Sequence, residues 1–372
     1  MSEQLSDKVG YVRLGNSGLK VSKVGSPFNA PPLLFPSFGC IILGTMSYGN
    51  KGWAEWVLEE KESIEHFKLA YELGINTWDT ANVYSNGDSE RIIGKAIKEL
   101  DIPRERLVIL TKVCMVVQDE PGLHPSKLKN PDDQGYVNRY GLSRKHIFDS
   151  VRQSLDRMGL EYIDVLQCHR FDKETPVEET MDALHDLVKM GLVRYIAMSS
   201  CYAYQLHQMQ NYAKSKGQTQ FISMQDFYSP VYREEEREMF PTCELFGMGI
   251  TPWSPLARGY CTRPWREQDN TTRAKSDPNF ARFVGLGNPK EEEALKAINE
   301  AIEKVAKDRG YSMAQVALAW VLAQKGVSAP IIGSTRTEAI RELAQATHIK
   351  LSEEELESIS KPYTPRGILG HS

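Results

Sequence analysis

The sequence predicts an α/β protein of the TIM (β/α)₈ barrel class, a single domain with long loops on its active face. Eight short apolar runs alternate with stretches of helical period, and this alternation is typical of a parallel sheet covered on both faces. An open doubly wound sheet would normally carry a G-x-G-x-x-G fingerprint, which does not occur in the chain, so the closed barrel is favoured. The strands are predicted at 38–43, 76–81, 107–113, 163–169, 193–199, 222–228, 249–254 and 329–334.

The 372 residues, 1–372, are expected to form one domain. The composition does not change along the chain, and barrels of this class often exceed the usual domain size. The barrel core is predicted at about 38–346, a proline-rich insertion at 27–36, and a C-terminal helix and tail at 347–372. The pattern assigns no function to the insertion.

Two connections are too long to be simple links between a strand and its helix. Residues 114–141 follow the third strand, and residues 258–290 follow the seventh. Long loops on the active face of a barrel are usually lids or specificity loops, and we expect that role for both. The helix after the fourth strand has the clearest start signal, with Thr175 predicted as its N-cap and Pro176 at its first position.

Composition and charge narrow the class of function. With 41% hydrophobic and 25% charged residues, the chain can bury a large core. Its formal net charge of −4 argues against a nucleic-acid-binding surface and favours a small-molecule substrate. The first residues contain no apolar signal segment, and no apolar run is long enough to cross a bilayer. We therefore expect a cytoplasmic protein without membrane partners, either a monomer or a weak homo-oligomer.

The sequence signals no metal site. The six cysteines lie far apart without a C-x-x-C pair, and the predicted strand ends carry no H-x-H motif. A metal-dependent barrel hydrolase is therefore poorly supported. The cysteines are expected to be reduced thiols in or near the core: Cys40, Cys114, Cys168, Cys201, Cys243 and Cys261.

Ionisable residues lie at the ends of three consecutive predicted strands. The second strand ends at Asp79, and Tyr84 follows shortly after it. Lys112 ends the third strand, and His169 ends the fourth. Chemistry in barrels gathers at the carboxyl ends of the strands, so these four side chains should meet in one mouth. Alone, each has a structural explanation, because an Asp with a Lys can be a buried ion pair and a lone His is often a core residue. Their combination favours a catalytic site.

These residue types suit the reduction of a carbonyl group. A phenol with an ordinary pKa of about 10 can protonate the developing alkoxide if its pKa is brought towards neutrality. Lys112 close to Tyr84 would stabilise the phenolate, while Asp79 would hold the ammonium in place. A neutral His169 would orient the carbonyl oxygen by a hydrogen bond. The hydride must come from a cofactor, because no side chain can supply it.

The series Asp79, Tyr84, Lys112 and His169, in this order and at these strand ends, resembles the catalytic tetrad of the aldo-keto reductase family. The resemblance extends from about Gly15 to about Ser360. It implies an NADP-dependent oxidoreductase that reduces aldehydes and ketones to alcohols with NADPH and with Tyr84 as general acid. One alternative stays open, since similar barrels that keep the tetrad and the cofactor serve as β subunits of potassium channels.

The resemblance also implies the bed of the nicotinamide. Gly44-Thr45-Met46, after the first strand, would lie beside the nicotinamide ribose. Ser199, Ser200 and Gln225 match positions that hydrogen-bond the carboxamide, although many relatives have Asn in place of Ser200. Trp253 matches the aromatic residue that stacks on the nicotinamide ring.

The phosphate end of the cofactor is implied in the same way. Ser254, Leu256 and Gly259 match the turn that wraps the pyrophosphate. Gly333-Ser334-Thr335-Arg336, after the eighth strand, resembles the site of the 2′-phosphate, which a guanidinium can bind through two parallel hydrogen bonds. Glu342 keeps its family match near the adenine. This set favours NADPH over NADH.

Overall fold

An eight-stranded parallel sheet is the centre of the molecule, and a separate two-stranded hairpin precedes it. The structure is a computed structural model that describes residues 9–24, 40–270, 272–277 and 279–371. The proposed insertion at 27–36 lies outside the described residues, as do the first two positions of the first predicted strand. The strands are β1 (Val9–Arg13), β2 (Lys20–Val24), β3 (Ile42–Gly44), β4 (Thr77–Asp79), β5 (Val108–Val113), β6 (Ile163–Cys168), β7 (Val193–Ser199), β8 (Phe221–Gln225), β9 (Gly249–Ile250) and β10 (Ile331–Ile332).

The sheet closes into a barrel, which confirms the predicted fold class. Its strands are hydrogen-bonded in the order β10-β3-β4-β5-β6-β7-β8-β9. The two outer strands meet through a parallel bridge between Trp253 and Ile331, and the Ile331 amide donates to the Pro252 carbonyl at 2.8 Å. The register sets these residues side by side at the carboxyl ends of the strands: Gly44 with Asp79, Lys112 with Gln167, and Ser199 with Gln225.

Helices surround the sheet and begin at recognisable caps. The hydroxyl of Ser143 accepts from the His146 amide at 3.3 Å, and Ser312 and Ser352 each form a reciprocal capping box. None of the helices within the described residues is both long and apolar enough to span a membrane. The helices are α1 (Glu60–Glu72), α2 (Asp88–Glu99), α3 (Arg144–Met158), α4 (Val177–Lys189), α5 (Ala203–Lys216), α6 (Met239–Phe246), α7 (Thr272–Ser276), α8 (Phe280–Val284), α9 (Pro289–Arg309), α10 (Met313–Leu322), α11 (Thr337–Ala346) and α12 (Glu353–Ser360).

The predicted cap of α4 is wrong by one residue. Pro176, not Thr175, occupies the N-cap position, and the helix begins at Val177. The Thr175 hydroxyl instead donates to the Asp172 carboxylate at 2.7 Å. A nearby acceptor therefore takes the hydroxyl group away from the helix end.

The hairpin of β1 and β2 covers the amino-terminal end of the barrel. Leu14 and Val21 are fully buried and pack with Leu110 and Val165 from the barrel interior. Gly15 turns between the hairpin strands with a φ of +58°, and a Cβ atom there would lie 2.6 Å from the Gly247 carbonyl oxygen. Only glycine fits this turn without strain. The opposite, carboxyl end of the barrel stays accessible.

The two long connections both reach that carboxyl end. Residues 114–141 contribute Met115 and Pro125 to its surface, and residues 258–290 fold into short turns and the helices α7 and α8. Their position is that expected of lids or specificity loops.

Candidate active site

A cleft of about 880 Å³ lies at the carboxyl ends of the barrel strands. Asp79, Tyr84 and His169 line it, while Lys112 lies fully buried beneath them. A cleft of this size is typical of sites for small molecules and cofactors. The structure therefore brings the four predicted catalytic side chains together in one mouth.

Lys112 is the centre of the catalytic group. Its ammonium Nζ donates to the Asp79 carboxylate at 2.6 Å and to the Thr80 carbonyl at 2.8 Å. The same Nζ lies 3.4 Å from the Tyr84 hydroxyl oxygen. The ion pair is almost fully buried, with side-chain exposures of 0% and 3%. Its partners therefore hold the ammonium in a fixed position against the phenol.

Two glutamines hold the second oxygen of Asp79. The amides of Gln167 and Gln225 donate to Asp79 Oδ1 at 2.9 and 2.8 Å, and Gln225 also donates to Gln167 Oε1 at 2.9 Å. The sequence reasoning missed Gln167, although a signal was present. Residues two apart on a strand share a face, and Gln167 precedes His169 by two. The carboxylate thus has hydrogen-bond donors on both oxygens.

The expectation that the pKa of Tyr84 falls towards neutrality is wrong. Burial raises the pKa of Tyr84 above its ordinary value of 10.0, and the charge of Lys112 opposes this rise without cancelling it. Burial lowers the pKa of Lys112, but Asp79 and Tyr84 more than offset this effect and raise it above the ordinary value. At neutral pH the phenol therefore carries its proton and the amine stays charged.

His169 lies edge-on to Tyr84, with ring centroids 5.9 Å apart. Its side chain is buried, and its Nδ1 has no hydrogen-bond partner within the described part of the chain. Burial, together with the charges of Arg170 and Lys112, holds the pKa of His169 well below its ordinary value. The imidazole is therefore neutral at physiological pH, as its expected role requires.

The residues expected to form the cofactor bed lie along the same cleft, with one exception. The following residues line it: Gly44, Thr45, Met46, Ser199, Gln225, Trp253, Ser254, Leu256, Gly259, Gly333, Ser334, Thr335, Arg336 and Glu342. Ser200 does not line it. The lining residues extend from the group of Asp79, Tyr84, Lys112 and His169 to the amino-terminal end of α11, so the cleft has room for an extended ligand.

Ser200 instead supports Trp253 from behind. The indole Nε1 donates to the Ser200 hydroxyl oxygen at 3.0 Å. Phe227 stacks on the indole at a centroid distance of 4.7 Å, and Phe283 meets its edge at 5.5 Å. These contacts fix the plane of the Trp253 ring at the cleft.

Two guanidinium groups converge at the far end of the cleft, and sequence reasoning identified only Arg336. Arg263, from the loop after β9, lines the same end, and its buried Nη1 has no hydrogen-bond partner among residues that the structure describes. Burial and the nearby charge of Arg336 lower the pKa of Arg263. No carboxylate within the described ranges lies at ion-pair distance from either residue, so the pair presents excess positive charge.

Ion pairs within the loop 258–290 stabilise its fold beside the cleft. Asp277 accepts from Arg258 and lies 3.4 Å from Nε of Arg273. Arg258 also lies over the Phe283 ring at 4.3 Å, and Arg273 lies over the Trp56 ring at 4.6 Å. The contact of Arg273 with Trp56 links the loop to another wall of the cleft.

Asn86 ties the loop 114–141 to the turn that carries Tyr84. Its amide donates to the carbonyls of Glu120 and Leu123 at 2.9 and 2.8 Å, and its oxygen accepts from the Gln118 amide at 3.1 Å. Asn86 is buried and has a left-handed φ of +48°. It follows Tyr84 by two residues, so it fixes the loop and the tyrosine turn together.

The wall near Tyr84 is largely apolar and aromatic. Trp53, Trp56, Met115 and Phe283 line the cleft there, and Arg170 adds a half-buried cation. Sequence reasoning missed these residues because they come from separate loops whose paths it could not fix. The wall suits a flat or apolar substrate.

Comparisons with known proteins agree with this geometry. Residues 40–363 match the model of the aldo/keto reductase family. The chain is 45% identical to versiconal hemiacetal acetate reductase of Aspergillus parasiticus over 96% of its own length and 98% of the relative. It is 44% identical to an aldo-keto reductase, AFTS1, of Alternaria alternata, over 97% of its length and 94% of the relative.

A third relative comes from Schizosaccharomyces pombe, and its name assigns it provisionally to the aryl-alcohol dehydrogenases. It is 43% identical, with 97% of both chains covered. The names of all three relatives describe oxidoreductases. With a family model across most of the chain and relatives of this identity over nearly full length, this protein belongs to the aldo/keto reductase family.

Proposed function

We propose that this protein reduces aldehydes and ketones to alcohols with NADPH, and that Tyr84 is the general acid. The observation that carries this proposal is the Lys112 ammonium, placed 3.4 Å from the Tyr84 hydroxyl and 2.6 Å from the Asp79 carboxylate at the base of the cleft. A phenol and a fixed cation in one cleft are the groups that protonation of an alkoxide requires.

The side chains divide the chemistry among them. Tyr84 donates its proton to the oxygen of the carbonyl as negative charge develops there. Lys112 stabilises the resulting phenolate, and Asp79 keeps the ammonium charged and in place. His169 is neutral and lines the cleft, so its imidazole is available to bind the carbonyl oxygen. The nicotinamide, when bound, supplies the hydride.

The donor set at the far end of the cleft fits a cofactor with a 2′-phosphate. Arg263 and Arg336 lie close enough for their charges to repel, and neither is at ion-pair distance from a carboxylate of the described residues, although the more distant Glu267 partly offsets the repulsion at Arg263. A phosphate dianion between two guanidinium groups would relieve this repulsion and accept paired hydrogen bonds. This is the basis for proposing NADPH rather than NADH.

The relatives' names favour an enzyme over a regulatory subunit, since they designate reductases and a dehydrogenase. The aromatic wall of Trp53 and Trp56 favours aromatic carbonyl compounds among the substrates. We propose a cytoplasmic protein, monomeric or weakly associated, that acts on small molecules.

The test is a Tyr84→Phe variant assayed by the loss of NADPH absorbance with a panel of aliphatic and aromatic aldehydes. Removing the general acid should lower kcat by roughly 10²- to 10⁴-fold. NADPH affinity should stay near that of the wild type, because the ring remains. Tyr140→Phe is the matched control, since its hydroxyl is exposed and bonds to Asp132 far from the catalytic group.

Two outcomes would contradict the proposal. Turnover that survives in Tyr84→Phe would mean that another group protonates the product. Loss of NADPH binding would place the hydroxyl in the cofactor bed instead. A wild-type protein that binds NADPH but reduces no carbonyl in the panel would favour the regulatory alternative.

A further inference from the structure

Three ionisable side chains meet behind the cofactor bed, apart from the catalytic group. Asp226 directly follows β8, Glu235 lies in the turn before α6, and His371 lies at the end of the C-terminal tail. Each offers one ligating atom, and these atoms all lie within 4.8 Å of one another. The cluster therefore joins the barrel to the last part of the chain.

All three side chains are buried, and most of their polar atoms lack partners. Asp226 is 0% exposed, and neither of its carboxylate oxygens accepts a hydrogen bond of good geometry from the described residues, although the Ser200 backbone amide lies near enough to favour its charged form. His371 Nε2 lies 3.1 Å from Glu235 Oε1, but the orientation does not make a hydrogen bond, and Nδ1 has none either. A buried polar group left unsatisfied loses its hydration without gaining a hydrogen bond, which destabilises the fold. A cluster with several such groups needs an occupant that binds them together.

We propose that Asp226, Glu235 and His371 form a binding site for a divalent transition-metal ion, of which Zn²⁺ is the best fit. Two carboxylates and one imidazole are ligands that Zn²⁺ accepts together, whereas Mg²⁺ and Ca²⁺ favour oxygen ligands alone. Burial raises the pKa of Asp226 well above its ordinary value and that of Glu235 to about 8, so the ion would displace protons from these carboxyl groups. Their two negative charges would then balance the charge of the ion. A water molecule can take the fourth position.

The geometry needs only a small adjustment. Ligand atoms about 2.1 Å from a tetrahedral ion lie about 3.4 Å apart, so side-chain shifts of about 1 Å would close the cluster around it. Tyr232 supplies an outer contact, because its hydroxyl lies 3.4 Å from Glu235 Oε1. Such contacts orient metal ligands and strengthen binding.

The tail that carries His371 is already fixed on the barrel. The Leu369 amide donates to the Tyr232 hydroxyl at 2.9 Å, and the Arg366 amide donates to Glu234 Oε1 at 2.8 Å. Gly370 lies against the cofactor bed, where a Cβ atom on it would be 3.3 Å from Trp253 Cζ2. The ion would thus fasten the tail against the residue expected to stack on the nicotinamide.

The experiment uses the full-length, untagged protein, freed of metal by chelator and then transferred to chelator-free buffer. Calorimetric titration with ZnCl₂ should show one ion per chain, and elemental analysis after gel filtration should recover the same ratio. His371→Gln and Asp226→Asn should each weaken Zn²⁺ binding by about 100-fold or more. Hydrogen exchange in residues 363–371 should slow on addition of Zn²⁺ to the wild type and stay unchanged in His371→Gln.

His207→Gln is the matched control, because His207 is exposed on α5, where it contacts Asn211 at 3.0 and 3.2 Å and the Phe246 ring. It should bind Zn²⁺ like the wild type. Circular dichroism would show that Asp226→Asn is folded, and His371→Gln changes only the tail. Substoichiometric Zn²⁺ in the wild type would overturn the proposal and leave shared protons or water as the occupant. Equal affinity in His371→Gln, or binding that leaves tail exchange unchanged, would also overturn it.

Discussion

Replacement of Arg263 by Met should impair the binding of NADPH and spare that of NADH. Arg263 is half-buried, and its Nη1 is fully buried without a partner among the described residues. A hydrogen bond to a charged group in such a place contributes about 2–3 kcal/mol, which corresponds to a roughly 30- to 150-fold increase in Kd. Arg336 is exposed, so solvent screens it, and its loss should cost about 1 kcal/mol, or about fivefold.

The two losses should not add. Burial lowers the pKa of Arg263 most and the charge of Arg336 lowers it further, so removal of Arg336 also relieves a repulsion of Arg263. The increase in the Kd for NADPH in the double variant should therefore differ from the product of the increases in the two single variants, and a double-mutant cycle measures this difference. NADH lacks the 2′-phosphate, so its Kd should change by about twofold or less in every variant.

Quenching of tryptophan fluorescence is a suitable assay, because Trp253 lines the cleft. Titrations with NADPH and NADH at low and high salt would isolate the electrostatic contribution to NADPH affinity, because that contribution should decrease as ionic strength rises. Arg282→Met is the control, since it removes an exposed positive charge from the same loop outside the cleft. Equal weakening of both cofactors in Arg263→Met, or an equal effect of Arg282→Met on NADPH, would refute the assignment of the 2′-phosphate site.

Two further predictions concern the catalytic group and its loop. Lys112→Met should lower kcat by roughly 10²-fold or more. Because the charge of Lys112 lowers the pKa of Tyr84 and alcohol oxidation needs the phenolate, the rising limb of the pH profile for alcohol oxidation should shift to higher pH in this variant. An unchanged pH profile in a variant that still binds the cofactor would contradict this. Asn86→Ala removes four hydrogen bonds, of which the one to the Pro121 carbonyl is long at 3.5 Å, and each normal one contributes about 1 kcal/mol. It should therefore increase proteolysis of residues 118–124 and raise the KM for carbonyl substrates with unchanged NADPH affinity. A rise in the Kd for NADPH alone would contradict that role.

The convergence of the candidate catalytic side chains was predictable because strand periodicity and strand ends are local properties of the sequence. Asp79, Lys112 and His169 each end an apolar run, and the barrel rule then places them in one mouth. The direction of the Tyr84 pKa was not predictable, because it depends on how completely the surrounding loops bury the phenol. The presence of Lys112 alone suggested the opposite sign.

Arg263 shows why loop residues escape such reasoning. Its loop follows a path fixed by distant partners, among them the Asn299 amide, which donates to the carbonyls of Tyr260 and Arg263 at 3.0 Å each. No local pattern in the sequence encodes these contacts. The prediction that Ser200 lines the cofactor bed was wrong for a related reason, because its hydroxyl accepts a hydrogen bond from the indole of Trp253. Asp226 and His371 are separated in the sequence by most of the C-terminal half of the chain, so no local pattern predicts that they lie together.

The hairpin that covers the amino-terminal end of the barrel determines how the molecule would be oriented when it is immobilised on a solid support. Because β1 lies opposite the cleft, attachment through the chain ahead of Val9 would leave the mouth turned towards solution. A linker behind His371 would instead emerge beside Trp253, as the contact with Gly370 shows. Immobilisation from that end should slow exchange of the dinucleotide.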